Sequence, residues 1–176
     1  MKKILLVNAP IKEVVEPYYD LPDFPRTALA FLAGHIRENS TQIEPHVIDA
    51  KFDRLTLVHI ENKIIELNPQ FIGLTAMTNE VKQANKVIEL AKKLNPNIIT
   101  ILGGVHVTAL PEKTLREFTS IDYVVIGEGE DALLKLTEAI ANNQDINIPG
   151  VCYLDNNEFK SNGKGIMLAD QDNLNP

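Results

Sequence analysis

Ile101-Leu102-Gly103-Gly104-Val105-His106-Val107-Thr108 is the stretch on which the reading of this chain turns. An apolar run, Ile98-Ile99-Thr100-Ile101-Leu102, interrupted only by Thr100, stops at two glycines and resumes towards Pro111, where a helix can begin. That pattern describes a parallel strand ending in a mouth. Glycines at such a mouth carry no Cβ, so a flat or bulky ligand can approach the backbone closely. The same pair also serves as an ordinary strand-to-helix turn, and the other strand ends must decide between the two.

Towards the carboxyl end, a short helix is expected over residues 111–118 and a strand over 121–126, whose mouth is Gly127-Glu128-Gly129-Glu130. Ala132, Leu133, Leu136, Ala139 and Ile140 give the next helix an apolar face, and Asn142-Asn143 end it. After Pro149-Gly150, alternation over 151–154, the turn Asp155-Asn156-Asn157 and Phe159 spell a hairpin. Towards the amino end, residues 71–74 form a strand with the small polar mouth Thr75-Ala76-Met77-Thr78. The helix after it carries Val81, Ala84, Val87, Ile88, Ala91 and Leu94 on one stripe, with Thr78 or Asn79 as its cap. Residues 3–7 are a central strand broken by Asn8-Ala9-Pro10, and the proline-interrupted segment 11–25 is a cover or a lid. A helix over 26–39, a more polar edge strand over 43–48 and a helix over 55–67 complete the set.

Strand and helix alternating five times predict a three-layer α/β domain with a doubly wound parallel sheet, since parallel strands require crossovers that cover both faces. Ligands of such sheets bind beyond the carboxyl ends of the strands. The mouths at Asn8, Thr75, Gly103 and Gly127 all open on that rim, which is the argument for a binding site there.

With 176 residues, 44% of them hydrophobic, the chain has room for one domain, expected over residues 1–160, followed by a polar linker over 161–176. A formal charge of -7 and the lack of any basic stripe exclude nucleic acid as a partner. The apolar run after Lys2-Lys3 is too short for a signal peptide or a membrane span, so a cytoplasmic protein with no membrane partner is expected. Cys152 is the only cysteine, which rules out an intrachain disulfide, a cysteine zinc site and an iron–sulfur cluster held by these residues.

Gly127-Glu128-Gly129-Glu130-Asp131-Ala132 fits the dinucleotide fingerprint formally, but it follows the fifth strand, and three carboxylates at a helix start repel a pyrophosphate. They serve equally as helix caps or as ligand contacts. A phosphoryl receiver needs aspartates where Asn8 and Thr75 stand, and a flavin carrier needs a Thr/Ser-rich loop that is missing after the first strand. His35, His46 and His59 have no partner at metal-ligand spacing. His106, two residues past the glycines, is placed either to bond a ligand in the crevice or to cap the turn.

Gly103-Gly104-Val105-His106, then Pro111-Glu112 and Leu115, then residues 122–130, resemble the amino-terminal cobalamin-binding domain of cobalamin-dependent radical S-adenosylmethionine enzymes. Asn8-Ala9-Pro10 resembles that family's first mouth, residues 26–33 its first helix and residues 73–78 the end of its third strand. The resemblance implies a Rossmann-like, flavodoxin-like fold, strand order 2-1-3-4-5 with a carboxy-terminal hairpin, and a corrin held over the sheet rim. The nucleotide tail is then expected beside the third and fourth strands. The implied cobalamin contacts are Asn8, Ala9, Pro10, Thr75, Ala76, Met77, Thr78, Gly103, Gly104, Val105, His106, Gly127, Glu128, Gly129 and Glu130.

Two departures shape the expectation. The Asp-x-His-x-x-Gly motif, by which some cobalamin domains supply a histidine to cobalt, is absent, so bound cobalamin is expected base-off with no protein histidine below the metal. The CxxxCxxC cluster motif is absent too. S-adenosylmethionine and a 4Fe-4S cluster are therefore expected only in a radical domain following residue 176, and this chain alone is expected to catalyse nothing. A different class of function, a sensor or interaction domain that keeps the fold without the cofactor, is separated from this reading by titration with hydroxocobalamin.

Overall fold

The computed structural model describes residues 1–10 and 24–163; the expected lid and linker fall largely outside them. Seven strands and six helices follow in chain order. They are β1 (Lys2–Asn8), α1 (Thr27–Asn39), β2 (Ile43–Asp49), α2 (Leu57–Leu67), β3 (Phe71–Thr75), α3 (Val81–Leu94), β4 (Ile99–Gly103), α4 (Val105–Ala109), α5 (Pro111–Glu117), β5 (Tyr123–Val125), α6 (Glu130–Ala141), β6 (Val151–Asp155) and β7 (Glu158–Ser161).

One sheet runs in the order β2-β1-β3-β4-β5-β6-β7. The first five strands are parallel, while β6 and β7 join antiparallel as the expected hairpin. Continuous apolar runs are buried on both faces here, and the pleat sorts them. Ile4, Leu6, Phe71, Ile101 and Val125 join α1 and α6 in one core, whereas Leu5, Val7, Ile72, Leu74, Leu102 and Val124 join α2, α3 and residues of α4 and α5 in the other. The fold expectation holds in class, order and hairpin.

Local differences have local causes. The turn α4 went unread because five residues are too few to display a helical period. Strand β5 is only three residues long, for the Asp122 carboxylate accepts the Thr100 N–H at 2.7 Å and the Lys92 ammonium at 2.6 Å. The start of α3 uses neither Thr78 nor Asn79 as its cap: Glu80 occupies that position, and its carboxylate accepts the Met77 N–H at 3.0 Å. His59 closes the first turn of α2, where its Nδ1 accepts the Thr56 N–H at 3.2 Å. Among the described residues no helix is long and apolar enough to cross a membrane.

Candidate functional site

The pleat decides what the rim can hold. On the face covered by α1 and α6, alternate residues of neighbouring strands are small: Thr75 and Gly73 on β3, Gly103 on β4, and Gly127 just past β5. Opposite them stand Ala28, Leu29 and Leu32 of α1 and Glu130 and Leu133 of α6. The missing side-chain volume leaves a cleft of about 180 Å³ between sheet and helices, entered at the carboxyl rim and walled below by Leu6, Ile101 and Val125. Ile4 and Phe71, one pleat repeat further down the same face, are fully buried and close the core beneath it.

Gly104 has the opposite role. It sits at φ 98 and ψ -176, a conformation open essentially to glycine alone, and a Cβ there would lie 2.7 Å from Thr75 Oγ1 and 2.8 Å from the Ala76 carbonyl oxygen. That close approach lets Ala76 N–H donate to the Gly103 carbonyl at 3.1 Å and His106 N–H donate to the Ala76 carbonyl at 3.2 Å. The Thr108 hydroxyl donates to the Gly104 carbonyl at 2.9 Å and accepts the Gly127 N–H at 3.0 Å. Three mouths are thereby stitched into one rigid edge.

A polar network braces the other side of the rim. The Asn8 side-chain amide donates to Asp49 at 2.7 Å, and Asp49 also accepts the Arg26 N–H at 2.6 Å and the Phe52 N–H at 3.1 Å. The Arg26 guanidinium donates to both Glu80 carboxylate oxygens at 2.8 Å, and the Lys51 ammonium adds a third charged contact at 3.0 Å. Desolvation works against the Glu80 charge, but the Met77 N–H, Lys51 and Arg26 overcome it and hold the carboxyl below its ordinary value. The start of α1, and with it the Ala28–Leu29 wall of the cleft, is pinned by backbone and side chain at once.

The structure brings Thr75, Gly103, Gly104, Gly127, Glu128, Gly129 and Glu130 together around the cleft. Asn8 is turned into the Asp49 network, and Ala9 and Ala76 belong to the opposite core. His106 is buried with Nδ1 3.3 Å from Thr78 Oγ1, an interaction between the two mouths and away from the cleft lining. Met77 and Val105 stand exposed on the rim, as does Thr78, and Pro10 follows the buried end of β1. Leu29, Leu32, Leu133 and Gly73 line the cleft without being among the expected contacts. The pairing Thr75↔Gly103 sets two small residues side by side on the face of Gly73, and that register is a product of the fold with no local signature in the sequence. Among the described residues no group of three or more His, Cys, Asp or Glu side chains could hold a metal ion.

Residues 18–137 match the family described as B12 binding domain. An uncharacterised methyltransferase of Pyrococcus horikoshii is 32% identical over 173 residues, covering 98% of this chain and 37% of that protein. An anaerobic magnesium-protoporphyrin IX monomethyl ester cyclase of Rubrivivax gelatinosus is 34% identical over 118 residues, which is 67% of this chain and 21% of that one. This chain thus spans well under half the length of either relative. Among solved structures, the cobalamin-dependent S-adenosylmethionine radical enzyme OxsB with aqua-cobalamin and S-adenosylmethionine bound superposes with a TM-score of 0.78 at 21% identity, over 95% of this chain and 23% of that one. The radical S-adenosylmethionine methyltransferase TsrM from Kitasatospora setae gives 0.76 at 21% identity, over 93% and 30%. At that identity the likeness carries the fold.

Proposed function

The chain belongs to the B12 binding domain family, and from that premise we propose that it is the cobalamin-holding part of a radical S-adenosylmethionine enzyme that transfers a methyl group or rearranges a carbon skeleton. Its sequence relatives include methyltransferases and cyclases. The observation that carries the reading is the cleft: small residues on three neighbouring strands leave an apolar slot at the rim of a parallel sheet, where ligands of this architecture bind. The nucleotide tail of cobalamin enters this slot beside Gly73, Gly103 and Thr75, and the corrin rests on the rim. The donor chemistry fits, since Thr75, Glu128 and Glu130 at the slot entrance can bond the amide-bearing edge of a corrin, while the depth offers only apolar contact.

Cobalamin supplies one-electron and methyl-carrier chemistry that no side chain here can perform. The protein's own part is to bind, orient and keep water from one side. S-adenosylmethionine and a 4Fe-4S cluster belong, in this proposal, to a radical domain covalently following residues 161–176, and the whole protein works in the cytoplasm. Bound cobalamin is base-off without a histidine ligand, which the Asp-x-His-x-x-Gly absence and the inward position of His106 both support.

Two measurements test this. Hydroxocobalamin titrated into the chain should shift its visible bands and co-elute at micromolar protein; free cobalamin at every ratio would sink the proposal. Electron paramagnetic resonance of the cob(II)alamin complex should lack nitrogen superhyperfine splitting, and a nitrogen triplet that disappears in His106→Ala would overturn the ligation.

A further inference from the structure

The slot that would take the tail has no polar partner to offer it below the rim. Leu6, Leu29, Leu32, Ile101, Val125 and Leu133 end in methyl groups, and Gly73 has no side chain. The strand amides between them are committed to the ladder, where Leu6 pairs with Gly73, Gly73 with Ile101 and Ile101 with Tyr123. The polar side chains on the lining, Thr75, Glu128 and Glu130, are all at the entrance, Thr75 a full pleat repeat above Gly73. A cavity of roughly 150 Å³ with a Leu/Ile/Phe lining stays dry and takes benzene. At about 180 Å³ this one has room for an aromatic base, but it offers that base only apolar contact.

Resting on the cobalamin reading above, we propose that this slot sets the chain's choice among cobamides. It accepts a lower base whose buried edge is apolar, as in a dimethylbenzimidazole, and rejects a purine, whose exocyclic amine and extra ring nitrogens would be stripped of water with nothing to bond. Discrimination comes from the purine's own unmet polar atoms, and an apolar pocket rejects a polar near-isostere by about a hundredfold at most. The bases share a flat bicyclic shape, so size contributes little.

The experiment compares three corrinoids on the full chain by visible absorbance and equilibrium dialysis: cobalamin, the adenine-bearing cobamide, and cobinamide, which has no nucleotide tail. The expected order is cobalamin tightest, with the adenine cobamide weaker by about tenfold or more and close to cobinamide. Equal affinity for the adenine cobamide and cobalamin, both tighter than cobinamide, overturns the selectivity while leaving the tail in the slot. Equal affinity for all three removes the tail from the slot and overturns the inference at its root. Binding of none condemns the cobalamin reading itself. Ile101→Thr, which places a hydroxyl on the slot wall and removes one terminal methyl, should narrow the gap between the two base-bearing cobamides. A gap that Ile101→Thr leaves untouched means the wall is not its source, and the proposal falls.

Discussion

Gly103 and Gly104 are neighbours in the chain, yet one faces a hollow and the other a wall. A Cβ added at Gly103 would find only ordinary contacts, 3.8 Å from the Leu74 and Val125 carbonyl oxygens. A Cβ added at Gly104 would meet three atoms below 3.0 Å, on a backbone already in glycine-only territory. Folding therefore demands the second glycine and merely tolerates the first. A residue kept small without structural need, at the rim of a sheet and above a second small residue of the neighbouring strand, is space reserved for something outside the chain. The same division extends across the sheet, for the face under α2 and α3 is filled up to Ala76 and Val107, while the face under α1 and α6 is left open.

Replacing Gly104 with Ala is the hardest blow to this contrast: about 3 kcal/mol of stability should go, from the left-handed φ and the backbone contacts together, as read by urea denaturation. A nearly unchanged midpoint would mean the wall is soft. Next comes Glu80→Gln, expected to cost about 2 kcal/mol, below the range for fully buried pairs because Glu80 keeps 14% of its side-chain exposure. Its pH signature is more telling. Because the folded state holds the Glu80 carboxyl below its ordinary 4.5, the charged contacts are fully present above that pH and are lost as pH falls below it. Wild type should lose stability through that window more steeply than Glu80→Gln, and superimposable pH curves would remove Glu80 as the brace of the rim.

Gly103→Ala should leave the denaturation midpoint within about 0.5 kcal/mol of wild type and weaken cobalamin about tenfold by filling the slot entrance. Gly73→Ala sharpens the same point. Its Cβ would lie 2.9 Å from Leu6 Cδ2, so Leu6 must move along the slot wall, and cobalamin should suffer while cobinamide does not. The smallest effect belongs to His106→Ala: about 1 kcal/mol of stability from a buried side chain, with no change in the spectrum of bound cobalamin.

How legible all this was in the sequence depends on which periodicity carried it. The five parallel strands and the hairpin could be read because apolar runs, Pro/Gly breaks and alternation are local signals, whereas the strand order came with the family resemblance. The rim was legible as a place, since four of the five parallel strands end in unusual residues. Its division into two faces was not, because Thr75 and Ala76 differ by a single residue and the pleat sends them to opposite sides. Asn8 looked like a ligand contact for the same reason, while its partner Asp49 lies 41 residues away and leaves no pattern a one-dimensional reading detects. Leu29, Leu32 and Leu133 have the spacing of core residues, and only the absent side chains opposite them make them a lining.

The hairpin described at the far end of the sheet has a bearing on how the molecule behaves in a crowd. By pairing with β5, strand β6 covers an edge of the parallel sheet, and β7 becomes the boundary strand with a row of backbone groups turned outward. That boundary is only four residues long and carries Glu158 and Lys160, whose side chains meet at 2.6 Å. Short length and adjacent opposite charges are the means by which sheets discourage another chain from adding a strand. The device guards against edge-to-edge aggregation at the one margin of the sheet built from a hairpin, so that the chain can be concentrated without its sheet growing into a neighbour's.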